Sequence, residues 1–397
     1  MKNRLLLLLM VATLSSRISF AQNNVDTAKV KVYKVAVFAP LYLDSVFTSV
    51  KLRNDKSIPK FIMPAVEFVQ GAQIAFDTFA LNNERVEAFI YDTKSYTQSL
   101  PWLIKNKLLD SLDLMIGSVK DIDFKQLADF ALEKQIPFLS ATYPNDGGVT
   151  ANPYLGIINS TLKAHCEGIY SFILQNHGTD KIYICKKSGA QEDKIAGYFK
   201  TLNEQEGKPP LLNIQTINLD KGISAALLKS KLDTTRRSVI IGGSLDESFA
   251  KSLADACYNI LKKNMLLTLI GMPNWDGFKT FTRKDAYNDF PIHFTTPHYV
   301  EKNYYNSIIT SEYNRRYKTT PSDMAYKGFQ TAYYFTSLLL KYPDDFMAHL
   351  NDKTFTVFHD FNFRPVFTKA VSDTPDYFEN KHLFVMSIIN GEILREW

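Results

Sequence analysis

Small, hydroxyl-bearing and charged residues recur just after short apolar runs in this chain. Gly117-Ser118-Val119-Lys120-Asp121 follows the run at 112–116, and Ser140-Ala141-Thr142-Tyr143 follows 136–139. Gly242-Gly243-Ser244-Leu245-Asp246 follows 238–241, and Pro273-Asn274-Trp275-Asp276-Gly277 comes shortly after 266–270. Tyr42 stands in the loop after Pro40, and Tyr299 follows His298. If the runs are strands of open parallel sheets, these residues lie beyond the carboxyl ends, where such sheets bind ligands. Free N–H groups at the next helix N-terminus can meet an anion there. Each position also has a structural use. Ser118 and Thr142 can cap turns, Asp121, Asp123 and Asp246 can cap helices, and Trp275 and Tyr299 can be core. The loop formers around Trp275 favour a cleft or an interface for its indole. The chemistry these residues suggest is non-covalent binding.

Catalytic constellations are missing. No G-x-S-x-G elbow, no H-E-x-x-H, no phosphate-binding glycine loop and no cysteine pair at zinc spacing occurs. No cofactor or metal is therefore expected. An enzyme reading rests only on convergence of Asp92, Asp121, Asp246 and Asp276.

The elements that must position these residues alternate regularly. Strand patterns at 32–40, 86–91, 112–116 and 136–139 are separated by helical patterns at 66–81, 100–110 and 124–134. A second series follows, with helices at 164–175, 194–204, 223–232 and 247–261 and strands at 181–185, 212–217, 238–241 and 266–270. Such alternation predicts parallel βαβ units and an α/β fold. Residues 41–64 read as a long surface loop, and 141–160, rich in Pro, Gly and Asn, as a first crossing between lobes. The chain continues as a strand at 292–295, helices at 303–317 and 324–340, and a strand-rich end at 357–361, 384–389 and 393–397. Asn390-Gly391 signals a hairpin turn.

With 397 residues, the chain exceeds the size at which one core divides, so two lobes are the default. The start carries Lys2 and Arg4, the apolar run 5–14, and Ser19-Phe20-Ala21 as a cleavage site, the layout of a secretory signal. Removing it takes the net charge from +5 to +2, because Lys2, Arg4 and Arg17 go and no acid does. A near-neutral chain gives no case for nucleic acid, and no later run is long enough to span a membrane. Of Cys166, Cys185 and Cys257 at most one pair can bridge, and buried free thiols are favoured.

At these landmarks the chain resembles the type 1 periplasmic binding proteins, in particular the leucine/isoleucine/valine-binding branch. The resemblant segments are Val35-Ala36-Val37-Phe38-Ala39-Pro40, Gln70-Gly71-Ala72, Ile90-Tyr91-Asp92-Thr93, Met115-Ile116-Gly117-Ser118, Ile136-Pro137-Phe138-Leu139-Ser140-Ala141-Thr142 and Pro321-Ser322-Asp323-Met324-Ala325-Tyr326. The resemblance implies two Rossmann-like lobes joined by three crossings, closing by a hinge on an amino acid or a related small polar molecule. It assigns 1–21 to the signal, 22–157 with 292–342 to the first lobe, and 158–291 with 343–397 to the second. Carboxylate contacts would lie at Ser118 and around Ser140, Ala141 and Thr142. Amine contacts would lie across the cleft after Gly242-Gly243 and in the loop carrying Trp275 and Asp276. Tyr42, Lys120, Tyr143, Ser244, Asp246 and Tyr299 complete the candidate site. The implied role is a periplasmic or otherwise extracytoplasmic solute receptor feeding an ABC permease, with no enzymatic step. The chain departs from the family at Val119-Lys120-Asp121, Ser244 and Phe329-Gln330-Thr331. This erosion motivates an alternative, an envelope module of the same fold acting on cell-wall machinery.

Overall fold

The computed structural model describes residues 31–48, 51–53, 57–204, 207–233, 235–261, 266–368 and 372–397. The expected signal, 1–21, lies outside the described residues. Strand β1 (Tyr33–Ala39) is buried throughout its second half and lies second from one edge of the first sheet. It is followed by α1 (Met63–Leu81), β2 (Val86–Asp92), α2 (Leu100–Lys105), β3 (Leu114–Gly117), α3 (Asp121–Lys134), β4 (Phe138–Ser140) and β5 (Leu155–Ile157). The chain then enters a second unit of α4 (Leu162–Asn176), β6 (Lys181–Lys186), α5 (Ala190–Asn203), β7 (Ile214–Asn218), α6 (Ala225–Lys229), β8 (Ser238–Gly242), α7 (Glu247–Leu261), β9 (Leu267–Ile270) and β10 (Ile292–Thr296). It returns with α8 (Tyr304–Tyr317), α9 (Asp323–Lys341), β11 (Phe363–Val366) and β12 (Tyr377–Asn380), and ends in the second unit with β13 (Phe384–Ile389) and β14 (Glu392–Arg395).

The first sheet runs β11-β12-β5-β4-β3-β1-β2 and the second β14-β13-β10-β9-β8-β6-β7. Pairing is parallel except at β11–β12, β10–β13 and β13–β14. Each sheet is covered on both faces, as near-continuous apolar strands require. Along β1, Val35 and Val37 face α1, α8 and α9, while Ala36 and Phe38 face α2 and α3. This period of two divides the first lobe's core between the two faces of its sheet. Helices α1 and α9 touch backbone to backbone. A Cβ on Gly71 would overlap the Ala325 carbonyl, and one on Gly328 the Phe68 carbonyl. The Gly-Ala pair read in the sequence is thus a helix-contact requirement.

Three crossings join the lobes: after β5, after β10 and between β12 and β13. Their places differ from the expected boundaries. Ile292–Thr296 belongs to the second sheet, since it pairs with β13, and 343–380 belongs with the first, since β12 pairs with β5. Both pairings join segments far apart in sequence, which no local pattern reveals. Likewise 141–160 is not all crossing, because β5 inside it adds to the first sheet. No strand forms at 357–361, where Phe358 and Phe361 instead fill the core beside Phe335 and Tyr326. The 41–64 stretch contains a short helix, Leu43–Val46, and a small hairpin, Phe47–Thr48 with Lys51–Leu52. The terminal hairpin forms as read, with Asn390 and Gly391 at φ 52° and 78°. All three cysteines are buried and free, and burial raises the Cys166 and Cys185 thiols to about 12.

Candidate functional site

The expected ligand residues do sit at strand ends, but the fold uses several of them itself. At the end of β2, Asp92 Oδ1 accepts the N–H groups of Leu41 and Tyr42 at 2.9 and 3.0 Å, and Oδ2 that of Leu43 at 2.7 Å. This carboxylate ties down the turn after β1. Tyr42 adopts φ 53° there and packs edge-on against Phe61. After β3, Ser118 Oγ and Thr142 Oγ1 share a hydrogen bond at 3.2 Å. Ser140 is fully buried, and its hydroxyl has no partner among the described residues. Lys120 is exposed at the N-cap of α3, and Asp121, in a left-handed backbone conformation, accepts the Tyr143 hydroxyl at 3.1 Å.

In the second lobe the corrections are sharper. Trp275 is fully buried, so it cannot face a ligand. Its indole lies over Gly242 and Gly271, where any Cβ would overlap the ring, and its Nε1–H donates to the Ser244 carbonyl at 3.0 Å. The loop formers around it turn the ring inward onto two glycine-lined strand ends. Ser244 is also fully buried and donates to Glu192 at 2.7 Å. Asp246 caps α7 through the Phe249 amide at 2.7 Å and pairs with Lys187 at 3.2 Å. Tyr299 packs on Phe384 and under Arg395 at the third crossing.

Between the two sheets lies a cleft of about 530 Å³, within the range of small-molecule sites. Of the twelve sequence candidates, Tyr143 and Asp276 line it, and Ala141 lines a smaller cavity at its hinge end. The other nine do not. Leu245, Pro273 and Asn274, from the two second-lobe loops expected to face the cleft, also line it, and most of the remaining lining comes from elsewhere in the sequence. The first lobe adds Asn145, Asp146, Lys327 and Tyr377, the crossings add Asn159, Thr161, Thr296 and Pro297, and the second lobe adds Lys163, His165, Gln191, Lys194 and Tyr198. Of the four candidate catalytic carboxylates, Asp276 alone reaches this cleft.

Both walls of the cleft carry charges of both signs, Lys327 and Asp146 from the first lobe and Asp276, Lys163 and Lys194 from the second. Lys327 on α9 faces it from the first lobe and Asp276 from the second. Enclosure pushes the Asp276 carboxyl above its usual range, with Lys327 opposing the shift. Enclosure also lowers the Lys327 ammonium, although Asp323 and Asp276 favour its charge. No ion pair or hydrogen bond fixes Lys327 among the described residues. His165 is bonded to Thr295 Oγ1 at 2.8 Å, and burial pulls its pKa down to about 3, so it is neutral.

The hinge behind the cleft is cross-linked. Ser160 Oγ donates to the Asn380 carbonyl at 2.6 Å, joining the first and third crossings. Lys381 pairs with Glu379 at 2.5 Å and with Glu167 of α4 at 2.8 Å.

No family model and no curated protein matches the sequence. Solved structures do match. A putative branched-chain amino acid ABC transporter from Rhodospirillum rubrum aligns with a TM-score of 0.65 at 11% identity, over 92% of this chain and 100% of that one. An ABC transporter substrate-binding protein from Desulfitobacterium hafniense, in complex with Leu, aligns with a TM-score of 0.56 at 11% identity, over 92% and 99%. A solute binding protein from R. palustris, in complex with benzoate, aligns with a TM-score of 0.50 at 14% identity, over 92% and 95%. At such identities the likeness is one of fold.

Proposed function

We propose that this chain, which has the type 1 periplasmic binding protein fold, is an extracytoplasmic solute receptor. It holds a small polar molecule, an amino acid or a relative of one, between its lobes and delivers it to an ABC-type permease. Residues 1–21 serve as its export signal, and the hinge closes the lobes on the ligand. The observation that carries this reading is the cleft of about 530 Å³ lined by ammonium and carboxylate groups together, with Lys327 reaching it from one lobe and Asp276 from the other. A zwitterion bridging the two would complete both partners, and it would favour the closed state by its differential contacts.

Thermal unfolding against amino acids, short peptides and cell-wall fragments tests the proposal. A ligand at about 1,000 times its dissociation constant adds roughly 4 kcal/mol, which raises the midpoint by several degrees. A selective rise with one class of small polar molecule supports the receptor. A flat response across amino acids counts against it.

One observation favours the second reading, an envelope module acting on cell-wall machinery. Phe61 is 67% and Tyr96 77% exposed, beside the loops that follow β1 and β2. Phe61 packs on Tyr42 and the Tyr96 hydroxyl bonds Ser45, so both aromatics flank the one turn after β1, where a partner could cover them. Recovery of cell-wall enzymes rather than permease subunits with the protein from envelope extracts would support this second reading.

A further inference from the structure

Behind the cleft, toward the hinge, lies a cavity of about 20 Å³. The two spaces share Asn159, Pro297 and Lys327 in their walls, so the small one adjoins the inner end of the large one. The small cavity's other polar walls are His298, Gln330, Thr331 and His359. The polar groups here are incompletely matched. Lys327 has no bonded partner among the described residues, and the buried Nε2 of His298 has none either. Burial, with Lys327 and His359 nearby, keeps the His298 ring neutral. Gln330 lies 3.3 Å from His359 Nε2 and also adjoins His298, which steadies the ring. A buried nitrogen left unpaired, as His298 Nε2 is, is costly unless something completes it, and the half-buried Lys327 beside it is free to turn toward the same space.

We propose that this inner end is the ligand's carboxylate subsite, with the Lys327 ammonium supplying the charge and the His298 Nε2–H a directed donor. The assignment rests on the receptor reading above and adds to it the orientation of the bound molecule. Charge and size select the group. One cation beside one neutral donor matches a single negative charge. A space of about 20 Å³ admits roughly one water-sized group, such as a carboxylate oxygen, and excludes a tetrahedral phosphate or sulfate. The wider part of the cleft holds Asp276 and Asp146 with Lys163 and Lys194, so it can take a polar or zwitterionic remainder of the ligand. This orientation differs from the one implied by resemblance, since Ser118 and Thr142 bond each other and do not line the cleft.

The test is isothermal titration at pH 7 of the protein with the amino acids and benzoate, each as the free acid and as its primary amide. Any acid that binds should bind at least about tenfold more tightly than its amide, because the amide leaves Lys327 unpaired. Lys327→Met should bring that ratio to within about twofold, and His298→Phe should reduce it. Lys327→Met should melt within a few degrees of the parent, because it removes a half-buried ammonium that no hydrogen bond or ion pair holds among the described residues. Lys327→Gln, which stays polar, should give the same loss of discrimination. An unchanged acid-to-amide ratio in both Lys327 variants would overturn the subsite and leave the receptor reading standing. Failure of every acid and amide to bind the parent protein would overturn both.

Discussion

Trp275 exerts its effect from inside the second lobe. Its ring covers Gly242 and Gly271 and bonds the Ser244 carbonyl, so it locks the ends of β8 and β9 against the loop that carries Asp276. Trp275→Ala should cost about 3–5 kcal/mol by chemical denaturation, the range for truncating a buried aromatic. Gly271→Ala should also destabilise, by about 1–3 kcal/mol, through overpacking. A loss below about 0.5 kcal/mol in either would mean the ring is not wedged as described. Asp276→Asn should behave differently: it leaves the fold intact and removes the second lobe's carboxylate from the cleft. Its melting temperature should stay within a degree or two of the parent, and its affinity for a zwitterionic ligand should fall at least about tenfold. At this scale the sequence was partly legible. Asp276 is readable from its place in a loop beyond a strand end, although Asp92 and Asp246 in like places are taken up by the turn after β1 and the cap of α7. Trp275 and Ser244 were misplaced because their burial depends on glycine slots and a Glu192 contact made by other elements. Lys327 and His298 carry no local mark, since a lysine within an amphipathic helix reads as solvated.

The pairing of α1 with α9 is the element-scale feature with the firmest consequence. Gly71 and Gly328 permit backbone contact between two nineteen-residue helices. An added Cβ meets carbonyl groups that cannot rotate away. Gly328→Ala should therefore cost at least about 2 kcal/mol despite the higher helix propensity of alanine, and Gly71→Ala should do likewise. A gain in stability from either would contradict the packing. Because α9 also carries Lys327, such variants should weaken ligand binding as well. The alternation of strands and helices, and the helix marked by Gln70-Gly71-Ala72, were legible from apolar period and glycine placement. Assignment of β10 to one lobe and β11–β12 to the other was not. Those strands are placed by pairing with β13 and β5 across long stretches of chain.

The whole molecule carries a built-in sensitivity to acid. His165, His298 and His359 are held neutral by burial, with His359 pulled down to about 4 and His165 to about 3. The folded state then binds fewer protons than the unfolded chain, whose histidines titrate near 6.5. Stability is full above about pH 6.5 and falls as pH drops below it, by up to about 1.4 kcal/mol per pH unit for each such histidine. For His359 the loss levels off near pH 4. Melting temperature should therefore decline steadily from pH 6.5 to 4.5, and His165→Asn with His359→Asn should flatten the decline. A flat profile in the parent protein would show that these rings titrate normally.

Lobe closure on a ligand is the central claim, and a distance across the cleft reads it directly. Lys125 on α3 and Lys200 on α5 are exposed, one in each lobe, while the native cysteines are buried. Spin labels on Lys125→Cys and Lys200→Cys would report the separation by double electron–electron resonance. The account predicts a shorter, narrower distance distribution that saturates as a zwitterionic amino acid is added and is restored by its removal. A distribution unchanged by every amino acid, including at millimolar concentration, would contradict it.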